Sequence, residues 1–346
     1  MSWSCNVGQK AKQSPMAAGV GTVWADSAPV FAFGDGKLMI GGKAHHPHQG
    51  GVLSLVYAAQ SGLIVTCGDD GCVIGTNSAG QSQTLMHDSK AWLDTLVVHP
   101  ASQLLAISAG REVILMKLTD ISAPPIRFKP ARASTALAFS GDGLLLAISH
   151  SAGVSLFKIN EPTSVWHEFP CTGGPLSVVL DHSGKFLLSG LSEPALAGWR
   201  LSDGQGFRMG GYPGKPRQLV WSTNGNALLT TGGPALLVWP MTGKDGHTLV
   251  GPMGQTAGVY RPRLGMVTAV ATVNDYAVTG WSDGGVDLVN LLDGGTRHLG
   301  GPRPPKDLDK DPRALTTSIV SVAFRDDGKQ VSWIGETGGY GTAVVQ

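Results

Sequence analysis

The stretch "TALAFSGDGLLLAISHSAGVSLFKINEPTSVWHEF", Thr135 to Phe169, decides the fold. It breaks into four short apolar runs, "TALAF", "LLLAIS", "GVSLFKI" and "SVWHEF", divided by the polar turn "SGDG", a tight glycine turn and a looser polar connection. Runs of about four to eight residues rich in Val, Ile, Leu and Phe between turn signals are strands by length and composition, not helices. The segment therefore reads as a four-stranded sheet. A sheet this small cannot bury both of its faces alone, so it needs neighbours of the same kind.

Those neighbours are in the sequence. The last bulky residue of the first run, Phe139, has counterparts in Tyr57 of "SLVYAAQSG", Val98 of "TLVVHPASQ", Leu180 of "SVVLDHSG" and Trp221 of "QLVWSTNG", each 41 residues from the next. Thr272 of "AVATVNDYAVTG" and Phe324 of "SVAFRDDGKQVSW" follow at wider spacing, and Trp24 of "GTVWADSAPVFAFGDG" precedes them by 33 residues. Four strands repeating about every 40 residues are the mark of a propeller blade. The expected fold is all-β, one propeller domain over residues 1–346 with eight four-stranded blades; seven remain if the short first unit is an appendage. The last unit ends "GTAVVQ" at its third strand. Residues 1–19 are expected to supply the missing strand, which removes an open sheet edge.

Composition agrees with many tight turns: 49 glycines and 21 prolines in 346 residues, 42% hydrophobic and 15% charged. A formal net charge of +1 gives no global attraction to nucleic acid or anionic membrane. The N-terminal stretch lacks the basic and apolar regions of a secretory signal, and no run approaches the roughly 20 apolar residues of a membrane helix. A cytoplasmic location is the expectation. Four cysteines, Cys5, Cys67, Cys72 and Cys171, are too few and too irregular for a disulfide framework. Cys67 and Cys72 flank one turn in "CGDDGC", but no second cysteine pair completes a zinc site.

With period and turn grammar in hand, the chain resembles the WD-repeat (WD40) propellers, most closely degenerate bacterial members. In "HQGGV" three residues separate His48 from Val52, while "TCGDDG" sets Thr66 and Asp70 where that family has its hydroxyl and aspartate. The family's tryptophan position holds Thr76, Phe157, Trp199 and Trp239 in four units, and the dipeptide Trp-Asp never occurs. The resemblance implies that His48 and Asp70 are a structural pair pinning a loop. It also implies an interaction scaffold for a protein or peptide partner, without catalysis or cofactor.

In such a disc the loops that join fourth to first strands and second to third strands share one face. They carry Trp92, Arg111, Arg132, Tyr212, Lys215, Arg217, Arg263 and Trp281, the partner-binding set expected here, since Arg and aromatic side chains dominate binding hot spots. The proline-braced loop "YPGKPRQLVW" adds rigidity, and residues 300–317, with four prolines and mixed charge, read as a mobile insertion.

A metal reading attaches to "AHHPHQGGV". His45 and His46 are adjacent, however, and neighbouring residues of an extended chain point in opposite directions. No metal is expected, although a small-ligand or metal site at the channel mouth, catalytic or not, is the alternative to the scaffold. Motifs such as GxSxG, HExxH and the phosphate-binding loop are absent, so no catalytic residues are assigned. Nucleic-acid binding through the arginines is the weakest option and would have to fade as salt rises.

Overall fold

The computed structural model describes residues 17–242, 258–260, 265–301 and 317–345. Eight antiparallel sheets follow one another along the chain, each a simple up-and-down meander. Blades 1 to 8 occupy residues 19–45, 52–87, 93–128, 134–170, 179–209, 219–240 with 258–260, 267–300 and 319–344. Among the described residues the only helical turn is the short 3-10 segment Ala59–Ser61.

The first unit is a full blade, which settles the count at eight. It is short because two of its strands, Leu38–Ile40 and Lys43–His45, have three residues each. Blades 1 to 7 have four strands; blade 8 shows three among the described residues. Of residues 1–19, expected to add the fourth, 1–16 lie outside the described residues, and Gly19 already opens the innermost strand of blade 1. Most of the 300–317 insertion, residues 302–316, is likewise outside them; Gly300 ends the last strand of blade 7.

The polar turns explain the sequence grammar. In "SGDG", "DHSG", "STNG" and "RDDG" the final glycines, Gly143, Gly184, Gly225 and Gly328, all have φ between 66° and 72°. That left-handed conformation is strained for side chains bearing a Cβ. An acid within the turn then caps it: Asp142, just before the glycine, accepts from the Leu144 amide and the Ser140 hydroxyl, and Asp181, the first residue of its turn, accepts from the Lys185 and Phe186 amides.

Blades bury their faces against each other, and the described residues form several inter-blade clusters. Phe186, Leu188 and Leu196 of blade 5 pack with Leu219, Trp221 and Leu228 of blade 6, and Ala25, Val30 and Ile40 of blade 1 pack with Val52 and Ile64 of blade 2. Polar stitches between innermost strands reinforce this packing: Ser54 Oγ accepts from Leu96 N, and Gln218 Oε1 from Val270 N. Thr268 Oγ1 donates to Ile319 O at 2.7 Å.

Candidate functional site

The loops after each fourth strand and between second and third strands define one rim of the disc, here called the upper face. His48 enters it from the loop before blade 2. Its Nδ1 is 3.0 Å from Asp70 Oδ2 and its Nε2 is 2.8 Å from Thr66 Oγ1, with the imidazole buried. Burial alone would raise the Asp70 pKa, but bonds to His48 and to the Cys72 and Gln49 amides outweigh it and hold the carboxyl below its ordinary range. The loop is therefore fixed by a satisfied polar cluster, as buried polar groups require.

His45 pairs in register with Leu38 and sets its ring against Gly80 of blade 2, while His46 is exposed on the loop. They do not converge. Among the described residues no group of three His, Cys, Asp or Glu side chains is placed to hold a metal ion. Cys67, Cys72 and Cys171 are free thiols, each with its pKa pushed up by burial. Cys5 lies outside the described residues.

The expected partner-binding set divides. Trp92 is 70% exposed, and Arg111, Arg132, Lys215 and Arg217 are exposed on the upper face. Arg263 lies outside the described residues. Two members are corrections. Trp281 has no exposed surface and donates its Nε1–H to Thr279 Oγ1 at 3.1 Å, so it cannot touch a partner. It is the last residue of the strand Tyr276–Trp281, paired with Val267, not part of the turn beyond it. Tyr212 is also buried: its hydroxyl lies 2.8 Å from Thr230 Oγ1 and accepts from Trp239 Nε1 at 2.7 Å. The phenol is consumed by the blade, and burial raises its pKa to about 12.

A second repeat escaped the sequence reading. Thr66, Ser108, Ser149, Ser189, Thr230, Thr279 and Ser332 place one hydroxyl in the second strand of blades 2 to 8, and none is more than 1% exposed. Each has a partner: His48, Ser134, Thr135, the Ser177 carbonyl, Tyr212, Trp281 and Thr22 respectively. Their positions, 40 to 42 residues apart from Thr66 through Thr230, were the available signal. Apolar runs attract the eye and single hydroxyls inside them do not.

One buried constellation resembles a hydrolytic triad by composition. His150 Nε2 is 2.9 Å from Ser155 Oγ, and Ser155 Oγ is 2.8 Å from Glu168 Oε1. The hydroxyl sits between base and acid, whereas nucleophilic activation needs the base between hydroxyl and acid. Ser155 is also fully buried.

With this geometry in place, comparison with known proteins gives a consistent picture. No protein-family model matches the sequence, and no curated protein matches it. Among solved structures, the computationally designed Ika8 protein superposes with a TM-score of 0.74 at 15% identity, covering 95% of this chain and 97% of that one. A chain of the mitotic checkpoint complex superposes at 0.64 with 12% identity, covering 82% and 84%. These likenesses show the fold alone, that of an eight-bladed β-propeller. Among the described residues of this propeller, no helix is long and apolar enough to cross a membrane.

Proposed function

We propose that this propeller is a non-catalytic scaffold, working in the cytoplasm, that holds a protein or peptide partner on its upper face. The observation that carries the reading is Trp92, an indole 70% exposed at the mouth of blade 3. An exposed indole offers a large apolar contact area with a directed N–H, and Trp is enriched at binding hot spots. Preformed loops on a stiff ring favour binding with little backbone change. The solved checkpoint assembly, in which a similar propeller is part of a complex, supports the same reading.

A photo-crosslinking residue at position 92, compared with one at Leu292 on the opposite rim, tests it in host lysate. Leu292 is 77% exposed and serves as the matched control. Defined adducts from position 92 alone are expected; identical adducts from both positions overturn the choice of face. A second reading, a small-ligand site, draws on a hollow of about 710 Å³ at the lower channel rim lined by Trp24, Tyr57 and Phe324. Equilibrium dialysis of host metabolites against Tyr57→Ala protein separates it from the first.

A further inference from the structure

We infer that the partner segment held by the upper face is acidic, and that it follows a track from Lys90 and Trp92, past Arg111, to Arg132. This deepens the scaffold reading and rests on it. The placement comes from register. Leu93 pairs with Ala109 and Ala109 with Glu112, so the loop bearing Trp92 and the turn bearing Arg111 rise side by side above blade 3. Ser108 Oγ of blade 3 lies 2.7 Å from Ser134 Oγ, the first residue of blade 4's innermost strand. Arg132, two residues earlier, therefore stands beside the same turn.

Lys90, Arg111 and Arg132 are exposed, and none has an ion pair among the described residues. The neighbouring acids are already engaged. Asp88 is bound by Arg127 at 2.7 Å, and Glu112 by Arg127 at 3.3 Å and Lys129 at 3.4 Å. Asp94 on the innermost strand is exposed, and so is Asp69 on the blade 2 turn that packs against the loop leading to Trp92, so two carboxylates stand against three cations. Lys215 and Arg217 repeat the theme at the loop before blade 6.

Covering a cation without a counter-charge is costly, and a partner that brings carboxylates avoids that cost while being steered in by the field. The indole between Lys90 and Arg111 asks for an apolar or aromatic residue among those carboxylates. A nucleic acid suits the track less well: its backbone charge recurs every ~1.7 Å along a duplex, and the exposed Asp69 and Asp94 interrupt the positive surface. A peptide can place its few charges to match.

The test pans a phage-displayed random 12-residue library against the full chain at low salt. Enriched peptides are then titrated by fluorescence anisotropy beside a single-stranded oligothymidylate. Enrichment in Asp and Glu around an aromatic or Leu is expected, with affinity falling at least about tenfold in Arg111→Glu/Arg132→Glu protein and again as salt rises. Arg111→Gln/Arg132→Gln, at an unchanged thermal midpoint, covers the case in which the reversed variant is poorly folded. Three results overturn the inference: neutral or basic peptides, affinity indifferent to the arginines, or an oligonucleotide that binds more tightly than every peptide. Neutral peptides that still need Trp92 leave the scaffold reading standing; peptides indifferent to Trp92 and the arginines alike take the face down with it.

Discussion

The hydroxyls of Thr22 and Ser332 are hydrogen-bonded at 2.8 Å across 310 residues of sequence. Both are buried, and they join the innermost strand of blade 1 to the second strand of blade 8. Beside them the Thr22 amide donates to Ser321 Oγ at 3.2 Å and Trp24 Nε1 to Ala323 O at 3.3 Å. The ring is thus clasped by its first and last blades directly. Thr22→Val and Ser332→Ala should each lower unfolding free energy by about 1–2 kcal/mol, because each strands a buried polar partner. In urea titrations the double variant should cost less than the sum of the two. Strict additivity would show that the clasp contributes nothing.

Tyr212 does for blade 6 what His48 does for blade 2: each comes from the entering loop and binds the hydroxyl of the second strand. Tyr212→Phe removes the acceptor of the Trp239 indole and the partner of Thr230, with hardly any change in shape. A loss of about 2 kcal/mol is expected for two buried groups left unpaired. Trp92→Ala, which empties no packed space, should stay within about 0.5 kcal/mol of the parent. Equal losses would refute the division of these aromatics into one structural and one binding residue.

The difference between those two aromatics also marks how far the sequence could be read. Strand periodicity and turn chemistry are local, so the eight units and the glycine turns were legible from residues a few positions apart. Which loop side chains turn inward depends on partners supplied by other strands. Tyr212 is drawn in by Thr230 and Trp239, and Trp281 by Thr279 on its own strand face two residues back. Trp92 and Arg111 have no such partner and remain outside, as their types and positions suggested. The hydroxyl series from Thr66 to Ser332 was equally present in the sequence, but its meaning comes from burial between blades.

Acid should weaken blade 2 through Asp70. Its folded pKa lies below the ordinary carboxylate value, because bonds from His48 and backbone amides outweigh burial. A depressed carboxyl pKa gives stability that is complete above the unfolded value of about 3.9 and is lost as pH falls through the folded value. Asp70→Asn should therefore be less stable than the parent at neutral pH, with the gap narrowing toward pH ~3. A gap independent of pH, measured by urea unfolding at several acid values, would remove Asp70 from this role.

His150 makes a separate demand at milder pH, and it reports on the proposed docking track. Burial lowers its pKa most; Glu168 raises it, and Arg132 lowers it again. A histidine held below its unfolded value of about 6.5 contributes stability above that value, which drains away as pH falls from there toward the folded pKa. His150→Gln should lose less stability than the parent between pH ~7 and ~5. Arg132→Gln should move the imidazole titration upward, since a like charge has been taken away. An acidic peptide seated on Arg132 should move it the same way by partly neutralising that guanidinium. Following the His150 ring protons by NMR with and without peptide measures both shifts. A titration midpoint at or above 6.5 in the free protein would contradict the burial argument, and a midpoint unmoved by Arg132→Gln would show that the arginine does not act on the buried ring.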